Sequence, residues 1–294
     1  MFQYDVNKLK HCLTEILREA VSPETLTWLH DYALVSTPVN RFNAAFVSVP
    51  RKTGKTPLQV GAVYQREVEL IRPGLDLSGW TVDRLARVWL IIHVDPTIRE
   101  EYVKRIESLF LAAEVSELVA LYSALPLLAY PESWKARCSE GIRSNIGDVL
   151  TAIMCHNPYP AENLDEAAWN QLVLKAIFTE KPVNQITGLD SRANKKLAYT
   201  LSDYAHERWA AHRAVNPLLW RCVYPFIDEQ ILPDIKKVSQ SDDPLEREAA
   251  ALAAYLSHSA EAKSLMPPQL LKKAENGELT WQMIAAKMNN YVLQ

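Results

Sequence analysis

The sequence predicts an all-α fold, and three observations predict it. Glycine is scarce at 8 of 294 residues while tryptophan and tyrosine reach 8 and 12, a balance that favours packed helices over glycine-rich nucleotide folds or turn-rich barrels. Capping residues followed by proline recur along the chain, and apolar residues repeat at helical spacing between them. Hydrophobic residues at 48% and charged residues at 23% are the proportions of a globular chain with a sizeable core.

Taken in order, MFQYDVNKLKHCL reads as an amphipathic helix and lacks the basic-then-apolar order of a secretory leader. Ser22-Pro23-Glu24 and Asp95-Pro96 each set a capping side chain before a proline at the first helical position. The stretch 35–73, with its β-branched residues, prolines and two glycines, reads as an irregular excursion or a short hairpin beside the helices. Ile142, Ile146, Val149 and Ile153 form one apolar stripe. The helix from Glu166 to Phe178 is apolar nearly all round, as a central helix is. Asp190-Ser191 opens a long run to Arg213, and Asp243-Pro244-Leu245-Glu246 has the form of a capping box. The segments Glu117–Leu121 and Glu246–Ala253 are similar to second helices of HEAT-like pairs, without a fixed period. The expectation is one domain over 1–294: a curved stack of antiparallel helix pairs, a HEAT-like superhelix with the excursion at 35–73.

Charge and motifs exclude several functions. With 32 basic against 35 acidic residues the net charge is −3, which offers no field for a phosphate backbone, so nucleic acid is not an expected partner. The longest uncharged stretch, Leu118 to Pro131, is too short to span a bilayer, so no membrane insertion is expected. Cys12, Cys138, Cys155 and Cys222 form no CxxC, so neither a disulfide framework nor a zinc knuckle is expected, and a reducing cytoplasm is the simplest location. Gly54-Lys55-Thr56 is no phosphate loop, because Val49 stands where the earlier glycine is needed and Pro57 follows at once. His206-Glu207 with His212 has the wrong spacing for a zincin, and no metal ligands or cofactor are assigned.

Polar residues on apolar faces nominate a site between Gly141 and Arg221. On the 190–213 helix, Arg208 falls in the arc of Leu197, Leu201, Tyr204 and Ala211, as an anion binder or as half of a structural ion pair. His206 and Arg213 are seven apart and nearly eclipsed; Asp203 one turn before the histidine, or Glu207 beside it, could orient its ring as in a general base. Trp209 and Arg213 have the spacing of a cation stacked on a ring. Asn170 lies on the apolar face of its helix, and Lys175 shares the polar one. The rigid run Asn157-Pro158-Tyr159-Pro160 holds an amide and a phenol, and Arg143 and Asn145 border the preceding apolar stripe. Each has a structural alternative in clamping neighbouring backbone.

These stretches carry a resemblance. Glu117–Tyr122 followed by Leu125-Pro126-Leu127-Leu128 and Tyr130-Pro131-Glu132, then Gly141–Asn145, Asn157–Pro160, Ala168–Gln171, Val173–Ala176 and Asp203–Ala211, together resemble the EboA family. Pro50-Arg51, Gly54-Lys55 and Gly79-Trp80 fit its first third, and the resemblance weakens after Leu232. It implies a bacterial protein encoded beside a prenyltransferase-like membrane protein and sugar-cyclase-like, metal-hydrolase-like and sugar-isomerase-like proteins. Such clusters make or move a small secondary metabolite, in some cyanobacteria the precursor of a sunscreen pigment. The resemblance carries no catalytic residues over to this chain.

Three expectations follow. The first is an accessory protein that binds a small polar or anionic metabolite through Arg143, Asn145, Asn157, Tyr159, Asn170, Lys175, Arg208 and Arg213. The second is an enzyme of the same pathway, an isomerase, lyase or transferase, using His206 as acid or base with Asp203 or Glu207. The third is a scaffold that docks the membrane component or other proteins of the cluster.

Overall fold

Where the sequence places Ser22 before Pro23 and Asp243 before Pro244, the computed structural model, which describes residues 1–292, starts helices: Ser22 Oγ accepts from the Thr25 N–H and Asp243 Oδ1 from the Leu245 N–H. Asp95 behaves differently. Its carboxylate accepts from the N–H and hydroxyl of Thr97 in a tight turn, and the next helix begins only at Arg99.

Eighteen α-helices and no strands occur among the described residues. In order they are α1 (Val6–Ala20), α2 (Pro23–Tyr32), α3 (Val39–Thr53), α4 (Ala62–Ile71), α5 (Val82–Ile92), α6 (Arg99–Ala112), α7 (Val115–Ala124), α8 (Lys135–Arg143), α9 (Gly147–Met154), α10 (Tyr159–Asn163) and α11 (Glu166–Phe178). There follow α12 (Lys195–Ala210), α13 (Trp220–Val223), α14 (Leu232–Ser239), α15 (Pro244–Leu256), α16 (Ala260–Ser264), α17 (Pro268–Glu275) and α18 (Trp281–Val292). They form two units, Met1–Leu172 and Val173–Gln294. The stretch 35–73 is mostly helical: α3 and α4 occupy it, with irregular chain between them whose Pro57 bridges to Thr81. The β-branched residues there sit on an amphipathic helix, with Phe42, Ala45, Phe46 and Val49 buried and Val47 exposed.

The first unit is built around α5, buried at every position except Arg84 and packed against α1, α3 and α7. Polar groups on this helix reach three different neighbours. Trp89 Nε1 donates to Thr14 Oγ1 on α1 at 2.8 Å, and Arg87 Nε donates to the Phe46 carbonyl on α3 at 3.1 Å. Arg87, 1% exposed, also pairs with Asp83 at 2.9 Å and lies 3.7 Å from Glu117 on α7. A guanidinium buried this deeply without such partners would cost several kcal/mol, about 3–5 on removal of one partner. Gly141 lets α8 approach α7 and α9, since a Cβ there would lie 2.3 Å from Ile153 and 2.6 Å from the Tyr122 ring. The apolar stripe expected over 142–153 is broken there: α8 ends at Arg143, α9 begins at Gly147, and Ile146 is 36% exposed.

The second unit gathers on α15, whose Ala249-Ala250-Ala251 and Ala253-Ala254 are buried and let α13, α14, α17 and α18 approach closely. Asp190 does not open a helix. It forms a two-point pair with Arg221, both contacts 2.7 Å, while Asn194 caps α12 by accepting from the Leu197 N–H.

His93, at the end of α5, gives this packing a pH signature. Burial, then Lys10 and His30 nearby, push its imidazole down to about 4, while the Trp89 carbonyl 2.7 Å from Nδ1 opposes the shift. An unfolded histidine titrates near 6.5, so between pH 6.5 and 4 the unfolded chain binds a proton that the native state refuses, and stability falls as pH falls. Urea unfolding at pH 7 and pH 5 should show a loss of about 2 kcal/mol from this group, absent in His93→Asn. An unchanged pH slope in the variant would contradict the assignment.

Candidate functional site

In the second unit two helices end the same way and leave a hollow between their exits. Helix α11 closes with the Lys181 N–H on the Ala176 carbonyl at 2.8 Å, and Glu180 adopts the left-handed conformation at φ 54°. Helix α12 closes with the Arg213 N–H on the Arg208 carbonyl at 2.9 Å, and His212 is left-handed at φ 53°. Both are reversals of the kind that glycine usually supplies. Each folds the chain back, and 181–185 and 214–218 both line a hollow of about 840 Å³.

The walls are largely apolar, with Ile177, Phe178, Val183, Val215 and Leu218 among them, and Phe178 meets the edge of Tyr204 at 4.6 Å. The lining carries charges of both signs, Arg208 and Lys181 with Glu180 and Asp243. Arg208 Nε donates to the Ala214 carbonyl at 2.9 Å, which fixes the side chain and leaves the other guanidinium nitrogens without a protein hydrogen bond among the described residues. Largely apolar walls with a polar group held in place are the common make-up of a small-molecule site.

On the same helix His206 faces elsewhere. Its Nε2 lies 2.6 Å from Asp234 Oδ1 on α14, and Ser202 Oγ donates to Asp234 Oδ2 at 2.5 Å. Asp234 is 4% exposed, whereas the His206 side chain is 54% exposed. Trp209 flanks the imidazole at 5.6 Å, and the cation over its indole is Lys237 at 4.1 Å. The carboxylate on the ring is therefore neither Asp203 nor Glu207, both of which are exposed. No sequence signal on α12 points to Asp234, because the pair is made across 28 residues.

The other residues nominated by the sequence are placed as follows. Arg213 lies past the end of α12, so it neither eclipses His206 on one helix face nor stacks on Trp209. Asn157 is buried and fully engaged: Nδ2 donates to the Tyr122 and Ala152 carbonyls at 3.1 and 2.9 Å, and Oδ1 accepts from the Tyr159 N–H at 3.0 Å. Tyr159 donates its hydroxyl to the Pro131 carbonyl at 2.6 Å. The rigid 157–160 corner thus clamps backbone in the first unit. Arg143 and Asn145 are exposed around the turn between α8 and α9; Asn170 is buried and Lys175 half-buried on α11. Of the nominated residues, Arg208 lines the hollow. Among the described residues no group of three or more His, Cys, Asp or Glu is arranged to hold a metal ion, and no helix is long and apolar enough to cross a membrane.

Fold and hollow together define an all-helical protein with a cation-bearing, apolar-walled cleft. Residues 9–224 of the 294 match the family model described as metabolite traffic protein EboA, and the chain belongs to the EboA family. No curated protein and no solved structure matches it.

The two left-handed exits can be tested directly. His212 and Glu180 are exposed, and no hydrogen bond of either side chain opposes a change to glycine. Relief of the left-handed strain should outweigh the added freedom of the unfolded chain, so His212→Gly and Glu180→Gly should each raise stability by about 0.5–1 kcal/mol in urea unfolding. A fall in either would show that the side chain supports the hollow in some other way.

Proposed function

We propose that this protein binds a small metabolite with an apolar body and an anionic or strongly polar end, and serves in its handling or transport rather than in its chemical conversion. One observation carries this reading: an apolar-walled hollow of about 840 Å³ lined by a guanidinium that keeps donors to spare. A volume of that size suits a drug-sized molecule, and a fixed arginine selects for anions. The family description, metabolite traffic, points the same way. Action within a bacterial secondary-metabolite cluster, beside partner proteins it encodes, is the fuller version of this proposal.

The enzymatic alternative rests on His206 and its buried acid, which would orient a general base. It is the weaker reading. The imidazole stands more than half open to water, and the Asp234 contact ties α12 to α14 whether or not a proton is ever moved.

Anilinonaphthalene sulfonate, an apolar ring system with one anionic group, is a suitable probe. Fluorescence titration should show saturable binding that weakens about tenfold or more in Arg208→Gln, the usual value of a charge-assisted hydrogen bond, and several-fold in Phe178→Ser. Thermal melting of both variants should stay close to that of the parent chain. Equal affinity in all three proteins would remove the hollow from the function.

A further inference from the structure

The first unit holds a hollow of its own, of about 460 Å³, along one face of α6, where Ile98, Glu101, Tyr102, Arg105 and Ser108 recur at helical spacing. Val35 from the α2–α3 connection, Val39 at the start of α3 and Val94 after α5 also line it, so that apart from Tyr102 its apolar surface is aliphatic. Val35 is 70% exposed, Ile98 52% and Val39 49%. Three open aliphatic side chains around one hollow differ from the scattered single ones that an ordinary surface carries.

Arg105 gives this lining a cation held in place. Its guanidinium lies over the Phe42 ring at 4.5 Å, and Nη2 meets the Thr37 carbonyl only at 3.5 Å, the outer limit of a hydrogen bond. Nε is buried without a partner, whereas Nη1 stays open to water and has no acceptor among the described residues, so a ligand can reach it. Burial pushes this guanidinium below its ordinary value, and no neighbouring acid opposes the shift.

Two acids and a second cation share the lining. Asp95 spends its carboxylate on the Thr97 N–H and hydroxyl at 3.0 and 2.6 Å, and the cation acting on it is Lys10. Glu101 stands four residues before Arg105, the spacing of a helical ion pair, yet it does not act on the guanidinium. Lys104 is exposed and forms no ion pair among the described residues. The charges therefore balance at two of each sign, and the acids set a limit on what Arg105 can take. A single negative charge gains the guanidinium fork, while a dianion meets the repulsion of Asp95 and Glu101 as well.

We propose that this hollow binds an aliphatic monocarboxylate, its carboxylate on the terminal nitrogens of Arg105 and its chain against Val35, Val39 and Ile98. The inference is independent of the hollow in the second unit, and the failure of either leaves the other untouched. In the sequence Arg105 is one of several charges that alternate in sign along α6 and reads as part of a solvated face; only the Phe42 contact and the missing ion pair with Glu101 set it apart.

Isothermal titration calorimetry with octanoate tests the proposal on the full chain carrying Arg208→Gln, so that the second unit's hollow does not supply the signal. Octanoate should bind below about 1 mM, octanamide at least about tenfold more weakly, and octyl phosphate several-fold more weakly. Adding Arg105→Gln should cost about tenfold for octanoate and little for octanamide. Adding Val39→Ser should weaken both several-fold, and Glu101→Gln should tighten octanoate while narrowing its margin over octyl phosphate. The octanamide comparison needs no change at Arg105 and so decides the charge contact even if that variant folds poorly. Absence of octanoate binding up to about 10 mM, equal affinity for octanamide, or binding indifferent to Arg105→Gln would overturn it.

Discussion

A buried polar group must meet a partner, and this constraint organises the first unit around α5. The helix is apolar enough to be enclosed on all sides, yet it carries Asp83, Arg87 and the indole N–H of Trp89 into the interior. The partners stand on α1, α3 and α7, so the polar groups fix how far each neighbour can slide or rotate against α5. Hydrophobic burial supplies most of the driving force for such a core, about 25 cal/mol per Å² of apolar surface, but it is non-directional. Two hydrogen bonds and an ion pair, made to three different helices, are directional. The same logic places Asn157, which spends its whole amide on two carbonyls and one N–H.

Against that background the groups left with spare capacity stand out. Arg208 is fixed through Nε alone, and Arg105 by the Phe42 ring and one long contact. Each lines a hollow. Of the polar residues nominated from the sequence, Asn157 and Tyr159 are consumed in holding backbone while Arg143, Asn145, Asp203 and Glu207 stand exposed; a wheel reveals neither, because it shows the face a residue occupies and not what stands opposite. Asp234 is the clearest case: it is the acid that meets His206, and it belongs to a helix beyond the residues that match the family.

Helix existence was legible in the sequence, and so was the all-α class. Ser22-Pro23 and Asp243-Pro244 mark starts that the structure uses. Helix ends were far less legible, for a physical reason. The chain has few glycines, and at four reversals it sets Tyr130, His156, Glu180 and His212 in the left-handed conformation instead. Without a glycine to mark the stop, the helical reading of the sequence runs on to Arg213, three residues past the end of α12. The stretch 35–73 fails in the opposite direction, since its valines and prolines resemble strand and turn while packing makes α3 and α4. Strained backbone of this sort persists only where the surroundings hold it, and two of the four positions adjoin the hollow of the second unit.

The central claim is that the helix exits of the second unit form the ligand site. Hydrogen–deuterium exchange with and without anilinonaphthalene sulfonate locates the bound probe without any substitution. The account predicts slowed exchange in 177–185 and 208–218, the two walls that Glu180 and His212 turn inward, with the α9 and α10 amides unaffected. Protection confined to other segments, or none at a saturating probe concentration, would contradict it.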